Sequence, residues 1–184
     1  MVDIEYLDGF ENRIQTELVK VATDAGVLEG SILTTEDIEG KWKEIAPEYV
    51  ADAVIQVKDY PTVSVAWASY LGLGIAYGWD ADWEKCSQAP YKSYYGSQGF
   101  DNMDDHIVED VLGLALDSGD AVRIGNVIRN CGEAAVAAIR HENADPQTQM
   151  AFHLFARTCK VMFRIGVSIG LKRLGYRFER VYLS

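Results

Sequence analysis

Two clusters of side chains in this 184-residue chain combine types and spacings that could do chemistry. The first is acidic: Asp101, Asp104, Asp105, His106, Glu109 and Asp110 crowd one short stretch. A histidine among carboxylates offers acid/base or metal-ligand capacity. A helical di-iron site needs Glu-x-x-His pairs, yet the residues three before His106, His141 and His153 are Met103, Ala138 and Met150. Nor are there two Glu-x-x-Glu/Asp pairs separated as a Mg²⁺-dependent all-α pyrophosphohydrolase would need. No metal is expected, and His106 with Glu109 is what remains. The plainer account is a solvated helix start, where acids complement the dipole.

The second cluster is basic. Arg157, Lys160 and Arg164 keep helical spacing among Val161, Met162, Phe163 and Ile165. A guanidinium in such surroundings needs a carboxylate or an anion. One reading is internal ion pairing, with Asp80, Asp82 and Glu109 as partners. The other is an anion-binding pocket floored by Arg157 and Arg164 and walled by the loop that follows residue 85.

That loop, CSQAPYKSYYGSQGFDNMDD, spans residues 86–105. Pro90, Gly96 and Gly99 forbid a long helix, while Tyr91, Tyr94, Tyr95 and Phe100 crowd together. Long ordered loops often carry function, and tyrosines offer flat faces with a hydroxyl handle. The loop is therefore either a binding surface, joined by Asp80 and Trp83 at the adjacent helix end, or a cap of rings over Trp79 and Trp83. No serine, cysteine or histidine sits in a strand-turn-helix elbow or beside a recognisable base, so no catalytic residue and no cofactor is assigned. Cys86, Cys131 and Cys159 are odd in number, far apart and free of C-x-x-C pairing. They read as reduced, buried thiols of a cytosolic protein.

The element that must position all of this is Pro61–Trp79, PTVSVAWASYLGLGIAYGW, which carries no charge. Val63, Trp67, Leu71, Ile75 and Trp79 form a large stripe; Ser64, Ala68, Gly72 and Ala76 form a small one. A helix apolar all round is buried or spans a membrane. Acidic flanks at Asp59, Asp80 and Asp82, three internal hydroxyls and three glycines argue against the membrane. A buried central helix over 61–85 is expected, its small stripe admitting a neighbour closely.

Around it, Asp8 and Glu11 suggest a capping box for a helix over residues 9–25. Thr34 or Thr35 caps a second helix that meets Pro47 and carries its apolar face to Asp59. Asp101 or Asn102 caps a third segment reaching Leu116, and a turn at 117–120 precedes a helix to about His141. Asp145-Pro146 reads as the start of a long helix to Gly175 that contains Phe152, Gly166 and Gly170 and packs on the small stripe. The alternating segment VDIEYL (2–7) and the tail YRFERVYLS offer a short two-stranded terminal ribbon pairing Asp3 and Glu5 with Arg177 and Arg180.

The fold class is thus all-α: a single-domain bundle of about six or seven helices over residues 1–184, with the ribbon as its one β option. The composition, 48% hydrophobic with four prolines, suits one core without a linker. A net charge of −11 argues against nucleic acid as a partner. The acidic N-terminus lacks the pattern of a secretory signal. Residues 1–60 carry 5 basic and 14 acidic side chains, whereas residues 118–184 carry 10 and 5. Either a basic C-terminal helix packs among acidic N-terminal ones, or the asymmetry orients a homodimer. The functional expectation is a non-enzymatic cytoplasmic interaction module, homo-oligomeric, partnered by itself or another protein and not by a membrane. The alternative is an enzyme that holds a small anionic substrate on Arg157 and Arg164 and uses His106 with Glu109 as acid/base or metal ligands.

Overall fold

The computed structural model describes residues 2–177, of which 77% are helical, arranged in six helices. Among the described residues there is no strand, and no helix is long and apolar enough to cross a membrane.

Helix α1 (Ile4–Asp24) starts earlier than the capping signal at Asp8 implies, because Asp3 takes that role: its carboxylate accepts from the Tyr6 backbone N–H at 3.1 Å. Leu7, Phe10, Ile14, Leu18 and Ala22 are buried at helical spacing. Their pull overrides the two-residue alternation of residues 2–7, so the N-terminal half of the expected ribbon is helix. Its C-terminal half, beyond Arg177, lies outside the described residues. Helix α2 (Glu36–Val54) is capped by the Thr35 hydroxyl and runs through the exposed Pro47, but ends at Val54 instead of carrying on to Asp59.

Helix α3 (Pro61–Gln88) has proline at its first position and is the buried centre: every residue from Ala68 to Ala76 is buried. It is not one straight rod. Asp82 leaves helical geometry, and its carboxylate accepts from the Lys85 N–H at 3.2 Å, capping a short second piece. That piece turns back on the first, bringing the Cys86 thiol to the Ile75 carbonyl and against Gly78. Three 3₁₀ turns follow, at Tyr91–Tyr94, Gly96–Gln98 and Phe100–Asn102.

The helix expected up to Leu116 is cut short. Helix α4 is the single turn Met103–His106, continued by a π-helical turn at Ile107–Val111. Gly113 then adopts a left-handed φ of 72°, and Leu114 bonds back to Val108, which ends the winding. Helix α5 (Gly119–His141) is capped by Ser118. Helix α6 (Gln149–Arg173) is capped by Thr148 and not by Asp145-Pro146. Asp145 instead closes the turn before it, its carbonyl accepting from the Thr148 N–H.

The α3–α6 contact is the tightest and most extensive in the molecule. A Cβ placed on Gly166 would come within 2.7 Å of Ser69 Cα, and one on Gly72 within 2.8 Å of the Val167 nitrogen. Ser69 donates across the seam to the Met162 carbonyl at 2.6 Å. The expected packing of the small stripe is therefore present, and it rests on Gly72, Gly166 and Gly170. Helices α1 and α5 flank this pair, α2 crosses it, and side chains from all of them merge into a continuous core.

Because backbone atoms block the space, Gly166→Ala should cost about 3 kcal/mol or more in urea unfolding. Gly40→Ala, in an open position of α2, should instead stabilise by about 0.5–1 kcal/mol. Equal, small effects at both positions would show that the seam can relax.

Candidate functional site

The basic stripe of α6 meets carboxylates along its whole length. Glu11 lies between Arg157 (2.9 Å), Lys160 (2.9 Å) and Arg164 (3.1 Å). Glu39 accepts from two nitrogens of Arg164, at 3.0 and 2.8 Å, and Gln15 takes a third bond at 3.1 Å. Asp8 accepts from Arg157 at 2.7 Å. Burial alone would raise the Glu11 carboxyl, but bonds from Lys160 and Arg157 outweigh it and hold the group below its ordinary range. Burial likewise works against the Arg164 cation, and Glu39 and Glu11 reverse the balance and push its pKa up. Internal pairing accounts for both arginines. The partners expected at Asp80, Asp82 and Glu109 are corrected to Glu39, Glu11 and Asp8, because α6 packs its charged face against α1 and α2.

The aromatic loop closes over α2. Tyr91 and Tyr94 are buried; Tyr91 meets Tyr49 edge-on at 6.3 Å and Tyr95 at 5.3 Å, while Phe100 lies 5.7 Å from Tyr49. The rings are a cap, as one reading had it, but over Tyr49 of α2. Trp79 is covered by Tyr176, which also donates to Asp80 at 2.6 Å, and Trp83 is half-buried. Of the residues proposed for binding, Asp80 is exposed and Tyr95 half-buried, so the loop presents little of its aromatic surface. One charged side chain that the sequence reading passed over anchors this region. Lys41 of α2, its side chain 1% exposed, donates to the Ser87 and Ala89 carbonyls at 3.0 and 2.7 Å. It complements the negative end of α3.

In the acidic cluster, His106 bonds Asp110 at 2.8 Å and packs against Gly96, and Glu109 is exposed. Neither shares a contact with Arg157 or Arg164. Burial raises the Asp104 carboxyl to about 6. Among the described residues, no three His, Cys, Asp or Glu side chains are placed to hold a metal ion. All three cysteines are free and buried, and desolvation pushes the Cys131 thiol up to about 12.

The surface that sequence reasoning missed lies where α2 ends and α6 begins. A groove of about 610 Å³ runs between α2 and α6, lined by Trp42, Pro47, Val50, Ala51 and Phe152 with Lys43 and Lys160 at its edge. It adjoins a more enclosed, strongly apolar recess of about 330 Å³ among Val57, Pro61, Val65, Val136, Ile139 and Phe155. Val54 and Phe152 belong to both. Ile55 is 74% exposed, Tyr60 61% and Phe152 47%. The signal was present in the excess of apolar residues over 54–60, more than one helical face can bury.

The chain has no significant match to any protein-family model, any curated protein or any solved structure.

Arg164→Ala would strand Glu39, while Glu11 keeps Arg157 and Lys160, and should cost about 3 kcal/mol in chemical denaturation; an unchanged midpoint would show that the network is ornamental. Asp104 has the opposite sign to Glu11. Its folded pKa lies above the unfolded value, so the folded state holds the extra proton and stability falls as pH rises from about 4 to 6. Asp104→Asn should remove that fall and gain about 1 kcal/mol at pH 7, a figure already reduced for partial exposure. Melting curves between pH 4 and 8 check this.

Proposed function

We propose that this protein is a non-enzymatic, cytoplasmic helical binding module that pairs with a second copy of itself through the groove between α2 and α6. The observation that carries the reading is the concentration of exposed apolar side chains there. Among the described residues, five of the nine large hydrophobic side chains left exposed, Val54, Ile55, Val57, Tyr60 and Phe152, sit on or beside this one surface. Contiguous exposed apolar surface of that kind marks association sites, whereas scattered single residues do not. A core of such side chains edged by Lys43 and Lys160 has the anatomy of an interface: apolar centre, charged rim. Three free, buried thiols favour the cytoplasm.

Compared with the sequence reading, the working surface moves from the aromatic loop to the α2–α6 groove, since Tyr91 and Tyr94 are spent on the core. The charge asymmetry no longer needs a dimer to explain it: the α6 cations are matched within the chain. Association would therefore be apolar and resistant to salt.

Light scattering behind a sizing column should give the mass of two chains at both low and high salt. Ala51→Arg, an exposed change in the groove wall, should weaken pairing at least tenfold without altering the melting temperature of the monomer. A monomer at every concentration, or a dimer indifferent to Ala51→Arg, would overturn the proposal.

A further inference from the structure

The enclosed recess behind the groove has a property that self-association does not require. Its lining is apolar apart from Ser64 and one charged side chain, Arg140. The Ser64 hydroxyl is turned away to the Pro61 carbonyl at 2.6 Å, and the Ser64 carbonyl is taken by Tyr49 at 2.8 Å, so the interior offers nothing to a polar ligand group. Arg140 is different. It sits in the last turn of α5, exposed, and pairs with no carboxylate among the described residues. In this acidic protein, Arg157, Arg164 and Arg173 are all paired. The result is an apolar recess with one guanidinium, unpaired among the described residues, in its lining.

We propose that this recess binds the hydrocarbon chain of a free alkyl carboxylate, whose head group is held by Arg140. The shape supports a chain over a flat ring system. Residues from the α2–α3 link, α3, α5 and α6 line it, and it continues past Val54 and Phe152 into the groove. Its volume of about 330 Å³ lies at the lower end of ordinary small-molecule sites, which suits a medium chain. Methylene groups would lose water against Val65, Val136 and Phe155, while the carboxylate stays at the surface and accepts two parallel N–H bonds from the guanidinium. The C-terminal end of α5 is the negative pole of its dipole and works against a carboxylate, so the attraction must come from the Arg140 guanidinium itself.

This goes beyond the self-association reading and is separable from it: Ala51 lines the groove but not the recess, although Val54 and Phe152 line both, so pairing partly covers the mouth of the recess and the monomeric Ala51→Arg chain is the cleaner host for the ligand. The test is calorimetric titration of hexanoate, octanoate and decanoate into the wild-type chain and into Ala51→Arg. Affinity should rise about fourfold per added methylene in both proteins. Arg140→Gln, an exposed change that leaves the fold intact, should weaken decanoate about tenfold and leave decanol unchanged. Ala151→Phe, which fills the recess, should abolish binding of both. Affinity independent of chain length would overturn the proposal, as would equal loss of decanoate and decanol in Arg140→Gln. So would capture of phosphatidylglycerol vesicles by a protein that ignores free decanoate. Loss of pairing with retained decanoate binding in Ala51→Arg sinks nothing here, and loss of decanoate binding with retained pairing sinks this inference alone.

Discussion

Backbone-to-backbone contact between α3 and α6 is the constraint on which the rest of the architecture depends. Gly72 meets the peptide of Phe163 and Val167, and Gly166 meets the peptide of Ser69, with no side chain between them. Such approach removes the bulk that normally separates two helices and replaces it with many short van der Waals contacts. The glycines give up helix propensity of about 1 kcal/mol each, which only a close neighbour can offset. It also explains why Ser69 and Ser168 are tolerated in the core: each finds a carbonyl, Met162 and Leu33 respectively, at hydrogen-bonding distance. With both helices buried along most of their length, little of either is left to face water.

What remains of α6 for charge is one narrow stripe, and the ion network follows from that. Arg157, Lys160 and Arg164 project where α1 and α2 converge, and their carboxylates come from both helices. Glu11 bonds all three cations. The network is not mainly a source of stability, since partly buried pairs pay heavily in desolvation. Its geometry favours one register of docking: α1 meets all three cations through Asp8 and Glu11, and α2 meets Arg164 through Glu39. A second cation plays a similar part at the other side of α2, where Lys41 ties the returning end of α3 and holds the turn that leads into the aromatic cap. The cap over Tyr49 is thus anchored at its start by an ammonium group and along its length by the buried rings of Tyr91 and Tyr94.

How much of this could be read in the sequence depends on the range of the interaction. The glycine stripe was legible because its spacing is local to one helix and has no other good explanation; a threonine cap for α2 was legible on the same local ground, though the choice of Thr35 over Thr34 was not. The start of α1 was misread because Asp3 and Asp8 are both competent caps, and the choice is made by Leu7, whose burial only the tertiary structure reveals. The fold-back at Asp82 was hidden for a related reason, since Asp82 reads equally as a mid-helix acid or as a cap. The partners of Arg164 were out of reach altogether: Glu39 is 125 residues away, and nothing in its flanking sequence distinguishes it from the other acids of the N-terminal third. The site was least legible of all, because a recess is defined by what fails to cover it.

That failure has a structural cause. Helix α2 stops at Val54 and α3 begins only at Pro61, while α6 cannot begin before Thr148 because Asp145 and Pro146 hold a turn. Four helix ends therefore meet, the last turns of α2 and α5 and the first turns of α3 and α6, and Val57, Phe152 and Ile139 line the gap left among them. A chain selected only for stability would shorten the link at 55–60 or replace its Ile55, Val57 and Tyr60 with polar residues, at no cost to the α3–α6 seam. Retaining large apolar side chains there exposes surface that favours aggregation unless something regularly occupies it. The buried seam does not draw on this end of the bundle, so the apolar character of the end is free to answer to binding, and the proposed ligand takes its sign from Arg140 beside it.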